Sequence, residues 1–162
     1  MRCITRAIVS FFLLSDPMRG MAHDDERPLP TPNSDTHAVT IRSEVVKTTP
    51  GGYREIKLSV QVAKGWSIYA NPVGNDETAY GPTRVTIKEN GRSYTVNYPP
   101  PSAQLDLPFG TKVNLYQGTV HIVVKAMRTE NASNPITLHV TYYPTSAEKC
   151  GKVTTDRISV EQ

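Results

Sequence analysis

Cysteine is nearly absent from this chain, with only Cys3 and Cys150 among 162 residues, so it has at most one internal disulfide. Long apolar runs are also scarce. The longest, residues 7–14, would span roughly 12 Å as a helix, well short of a bilayer core. No sustained helical periodicity occurs, no phosphate-binding loop, and no His/Cys/Asp/Glu cluster with metal-ligand spacing. Without a nucleophile–His–acid arrangement, hydrolase and nucleotide chemistry find no support.

The first residues carry an export pattern. Arg2 and Arg6 precede the apolar run, Pro17 breaks it, and Gly20-Met21-Ala22 places small residues where a signal peptidase reads. A signal peptide of residues 1–22 is expected, which leaves 140 residues, enough for one domain with a single core. The formal charge of +3 then shrinks. Losing Arg2, Arg6, Arg19 and Asp16 takes 18 basic and 15 acidic residues to 15 and 14, a net +1. That balance gives no electrostatic footprint for nucleic acid or anionic membranes. Cys3 leaves with the signal, and Cys150 becomes a reduced thiol, a sulfur bridged to another molecule, or a remnant.

Residues 23–37 are polar and proline-rich with almost nothing to bury, a lead-in to the domain expected over 38–162. From Ala38 the period changes to two. Val39, Ile41 and Val45 alternate with polar residues, and so do Ile56, Leu58, Val60 and Val62 after a turn at residues 48–52. Val85 and Ile87 precede Asn90-Gly91, and Tyr94 and Val96 follow, a strong hairpin signal. Pro99-Pro100-Pro101 stops that strand, and residues 102–112 read as a loop. Val120, Ile122, Val124 and Ala126 alternate cleanly, as do Ile136, Leu138, Val140 and Tyr142, and Ile158 and Val160 supply a last strand. Short strands at short intervals predict an all-β, immunoglobulin-like sandwich of about seven to nine strands.

Gly65-Trp66-Ser67-Ile68-Tyr69-Ala70-Asn71-Pro72, Tyr98-Pro99, Phe109-Gly110-Thr111-Lys112-Val113-Asn114-Leu115-Tyr116 and Thr137-Leu138-His139-Val140-Thr141-Tyr142 together resemble the N-terminal domain of the thiol:disulfide interchange protein DsbD. The resemblance covers most of residues 38–160. It implies a periplasmic domain that passes reducing equivalents through two cysteines across a hairpin, shielded by a phenylalanine-bearing cap loop. Its implied partners are an exported redox protein or a membrane-embedded reductase module, with no cofactor. Carried across, the second cysteine falls on Cys150, the cap phenylalanine near Phe109, and the first cysteine at about Thr145, where there is no thiol. Releasing a mixed disulfide within one domain needs a second thiolate, so the family's reductase chemistry is incomplete in this chain.

Lys149 and Lys152 favour a thiolate at Cys150; the alternative is a small packing residue. Phe109, with Leu105 and Leu107, is either a cap or partner-docking loop or the edge of the core. Trp66 and Tyr69 lie near the hairpin by resemblance, although aromatics after a strand commonly fill cores. Two other functions stay open. One is non-catalytic protein docking through residues 105–109 or 66–69. The other is copper(II) binding at an amino-terminal His23, completed by His121 or His139. Asn131-Ala132-Ser133 matches a glycosylation acceptor, relevant only in a eukaryotic source.

Overall fold

The computed structural model describes residues 38–49, 52–75, 81–88, 93–107, 110–127 and 135–161. The expected signal peptide, the lead-in, the Asn90-Gly91 turn, Phe109 and the Asn131 triplet lie outside the described residues. Among the described residues eleven strands follow one another: β1 (Val39–Thr48), β2 (Tyr53–Val62), β3 (Trp66–Tyr69), β4 (Arg84–Ile87), β5 (Tyr94–Asn97), β6 (Ala103–Asp106), β7 (Lys112–Tyr116), β8 (Thr119–Met127), β9 (Ile136–Tyr142), β10 (Pro144–Ser146) and β11 (Thr154–Val160). No helix of the described residues is long and apolar enough to cross a membrane.

The strands pair antiparallel in three sheets, ordered β1-β2-β8-β5, β10-β3-β7-β6 and β11-β9-β4. Period-two alternation decides the architecture. Ile56, Leu58 and Val60 of β2 stand opposite Val124, Ile122 and Val120 of β8, and all six are buried. Ile136, Leu138, Val140 and Tyr142 of β9 join them in one core with Ile68, Val85, Ile87 and Tyr116. Each such aliphatic side chain contributes about 1.5–3 kcal/mol when taken out of water. The result is an all-β sandwich.

Two local expectations differ from the structure. β4 and β5 flank the Asn-Gly signal, yet β4 pairs with β9 and β5 with β8. An Asn-Gly signal is local, whereas strand pairing is settled by which neighbours offer a complementary apolar face. Within residues 102–112, read as loop, Ala103–Asp106 forms β6 along β7. Only Ala103 and Leu105 of that strand are apolar, too few to announce a strand by periodicity.

β9 and β10 form one extended run whose alternation continues through Tyr143. Leu138, Val140 and Tyr142 belong to the main core, and Pro144 is buried opposite Ile68. His139, Thr141, Tyr143 and Thr145 therefore share the opposite, outer side. This strand carries the chain from the β11-β9-β4 sheet into the β10-β3-β7-β6 sheet.

Candidate functional site

The site is the short hairpin that follows Tyr143. Thr145 pairs with Ser67 of β3, and Ser146 with Trp66. The chain then reverses over residues 146–149. The Ser146 amide donates to the Lys149 carbonyl at 2.8 Å. The Ser146 hydroxyl accepts from the amides of Glu148 at 3.3 Å and Lys149 at 3.0 Å, satisfying two donors that a bare turn would leave to water.

On the return, Cys150 stands directly opposite Thr145 in an isolated antiparallel bridge. Thr145 Oγ1 and Cys150 Sγ are 4.0 Å apart. Gly151 closes the hairpin by donating its amide to the Pro144 carbonyl at 2.8 Å. A Cβ at this position would lie 2.6 Å from Pro144 Cγ and 3.0 Å from its carbonyl oxygen, so only glycine permits this approach.

Cys150 is disulfide-bonded in this chain. The one other cysteine of the sequence, Cys3, lies outside the described residues. The expectation of Cys150 as the only candidate thiol applied to a processed chain, whereas the sequence as given holds both cysteines. At Thr145 the hydroxyl gives the hairpin no second sulfur.

Beside the hairpin, the outer face of β10-β3-β7-β6 forms a groove of about 760 Å³, lined among others by Trp66, Leu105, Leu115, Gln117, Thr145 and Ser146. Its floor is polar under Thr145: Ser67 is buried, and its hydroxyl accepts from Gln117 Nε2 at 2.8 Å. Further along the same face lies a second apolar cluster of Tyr69, Val73, Val113 and Leu115, with Leu107 and Tyr143 packed against it. Trp66 is half-buried against the main core and lines the groove. Tyr69 and Leu107 belong to the second cluster, while Leu105 is 43% exposed and lines the groove. Sequence reasoning passed over Ser67, Ser146 and Gln117. Their roles come from a distant strand partner, a turn and a 50-residue contact, none of which leaves a local pattern.

Under the hairpin's base, Tyr142 donates its hydroxyl hydrogen bond to Asp156 Oδ2 at 2.9 Å, tying β9 to β11. Burial first, and then the Asp156 carboxylate, push the Tyr142 phenol well above the ordinary tyrosine value, so it stays protonated. Burial likewise raises Tyr98 and Tyr116. Of the histidines in the copper reading, His23 lies outside the described residues, and His121 and His139 stand in different sheets. His121 is on β8, with Nδ1 3.2 Å from Ser59 Oγ, and His139 is on β9 in a different sheet. Among the described residues, no group of three His, Cys, Asp or Glu side chains gathers to hold a metal.

The chain is similar in structure to the N-terminal periplasmic domain of ScsB from Proteus mirabilis, with a TM-score of 0.61 and 19% identity over 82% of this chain. It spans 49% of that chain, about half its length. The Neisseria meningitidis DsbD N-terminal domain in the reduced form aligns with a TM-score of 0.43 and 11% identity, over 77% of this chain and 86% of that one. No curated protein sequence matches. The family described as thiol:disulfide interchange protein DsbD, N-terminal, matches residues 36–160. With its β-sandwich and most of its length matched, the chain belongs to the DsbD N-terminal family.

Proposed function

We propose that this is an exported domain that exchanges disulfides with a redox partner through one sulfur, Cys150, and docks that partner over the neighbouring groove. The observation that supports it is the cross-hairpin pairing of Thr145 with Cys150, with Oγ1 and Sγ 4.0 Å apart at the groove's edge. In a member of this family, the groove-side hairpin is where exchange is expected, and here it offers one sulfur and one hydroxyl.

The chemistry follows from that pair. When Cys150 is reduced, its thiolate attacks one sulfur of a partner disulfide, an S–S bond forms between the chains, and the other partner sulfur leaves as a thiolate. Threonine cannot complete the cycle, because its hydroxyl does not ionise near neutral pH and makes no stable bond to sulfur. A thiolate from outside this hairpin must attack the mixed disulfide, returning Cys150 to its thiolate and leaving a new disulfide on the attacker's side. When Cys150 is oxidised, an incoming thiolate attacks the Cys150 disulfide and the displaced sulfur leaves. Either way electrons pass in pairs, and the domain holds the intermediate without resolving it.

The test is trapping. Wild-type protein and a Cys150→Ser variant are exposed to an extract of exported proteins, quenched with acid and separated without reductant. Mixed-disulfide adducts present in wild type and lost in the variant are the expected result; identical patterns would sink the proposal. Exposed Leu105 and half-buried Trp66 on the groove favour a second reading, non-covalent docking. A complex that survives both reductant and loss of Cys150 would support that one.

A further inference from the structure

The outer faces of the sandwich differ in charge. Across β1-β2-β8 the outward positions mix signs: Arg42 and Glu44 lie on β1, Lys57 faces Glu44, and Lys125 and Glu55 pair at 3.8 Å. Across β11-β9-β4 the outward positions form two cross-strand rows, Arg84–Thr141–Thr155 and Thr86–His139–Arg157. They hold two arginines, a histidine and hydroxyls, and no carboxylate. Asp156 alternates to the interior side, where it accepts the hydrogen bond from Tyr142.

This cationic face continues into the hairpin, because Thr141, Tyr143 and Thr145 alternate onto the same side where β9 runs on into β10. The return strand adds exposed Lys149 and Lys152 on either side of Cys150 and Gly151, and the turn contributes one acid, Glu148. Arg84 and Arg157 are exposed as well. The domain thus presents a basic strip that leads to Cys150.

We propose that the partner served by Cys150 is acidic around its own reactive disulfide, and that the Arg84–Arg157 face, continuous with Lys149 and Lys152, steers it onto the hairpin. The inference rests on exchange at Cys150 and adds the partner's chemistry to it. Charges of opposite sign on two approaching surfaces raise the encounter rate and orient the partner, and salt removes the effect. Arg84 and Arg157 also present planar guanidinium forks that match carboxylates in pairs.

The experiment uses a Cys3→Ser background, reduced and freed of reductant, so that Cys150 is the one reactive sulfur. The probes are short peptides carrying a single cysteine as its mixed disulfide with thionitrobenzoate, flanked by aspartates, lysines or alanines. Attack by Cys150 joins it to the peptide sulfur and releases thionitrobenzoate, whose absorbance gives the rate. At low salt the aspartate probe is expected to react about fivefold or more faster than the lysine probe, each normalised to the alanine probe. That ratio should fall towards one at about 0.5 M salt, where the Debye length is about 4 Å. Reversing both arginines, Arg84→Glu with Arg157→Glu, should lower the low-salt ratio at least about twofold. The milder Arg84→Gln with Arg157→Gln pair serves if thermal unfolding shows that charge reversal has disturbed the fold. Equal aspartate and lysine rates at low salt, or a preference untouched by both arginine pairs, would overturn the steering inference while leaving exchange intact. No reaction with any probe would overturn the exchange reading and this inference with it.

Discussion

The β2–β8 ladder and the hairpin of residues 145–150 are both antiparallel pairings, and opposite means hold them. β2 and β8 share nine residue pairs, of which three alternate ones (Ile56–Val124, Leu58–Ile122 and Val60–Val120) are apolar and buried on both strands, so their register is set by a row of side chains that must leave water together. The hairpin has one bridge, between Thr145 and Cys150. A serine hydroxyl holds its turn, and the close approach of Gly151 to Pro144 holds its base. The ladder's stability is spread over many residues, whereas the hairpin's geometry depends on a few. Its exposed tip leaves Cys150 at the surface, a placement that burial in the core would forbid.

Substitutions in the core and in the hairpin sharpen that contrast. The largest effect is expected in the core. Leu138→Ala, at a fully buried site on β9, should cost about 2–5 kcal/mol in denaturant unfolding and act on the whole fold. Next is Thr145→Cys in the Cys3→Ser background. With the position facing Cys150 made a thiol, oxidation should close a cross-hairpin disulfide. A loop this short should add about 2 kcal/mol over the reduced form, and the shift in unfolding midpoint on reduction measures it. Failure to bridge would show that the two side chains do not meet in solution. The smallest global effect is expected for Gly151→Ala, about 1 kcal/mol, because the exposed hairpin can open to admit the methyl group. Combined with Thr145→Cys, however, it should lower the fraction bridged in a glutathione buffer, and Pro144→Ala, which removes the Cγ that the methyl would meet, should partly restore it. If Gly151→Ala leaves bridging unchanged, the contact with Pro144 does not set the hairpin's geometry.

Legibility in the sequence followed the same divide. Ile56 to Val62, Val120 to Ala126 and Ile136 to Tyr142 announced themselves because alternation is a local property and each residue's burial follows from its neighbours' pattern. The Asn90-Gly91 signal was read as a paired hairpin, but pairing depends on which strands offer a complementary apolar face. β9 and β8 offered it to β4 and β5. β6 was missed because a short edge strand with two apolar residues looks like loop. At the site, the position of Thr145 came from a family resemblance; nothing in its own neighbourhood marks it as the partner of Cys150.

The sequence by itself determined the sandwich class, the apolar positions that fill it, and the arithmetic of its sulfur, because these rest on composition and short-range period. Tertiary structure alone decided that Thr145 and Cys150 face each other beside a groove, and that Ser67 and Gln117 form its floor. It also decided that Arg84 and Arg157, 73 positions apart in sequence, share one outer face. Each of these joins residues on different strands, and pairing between strands is chosen by the packing of the whole core.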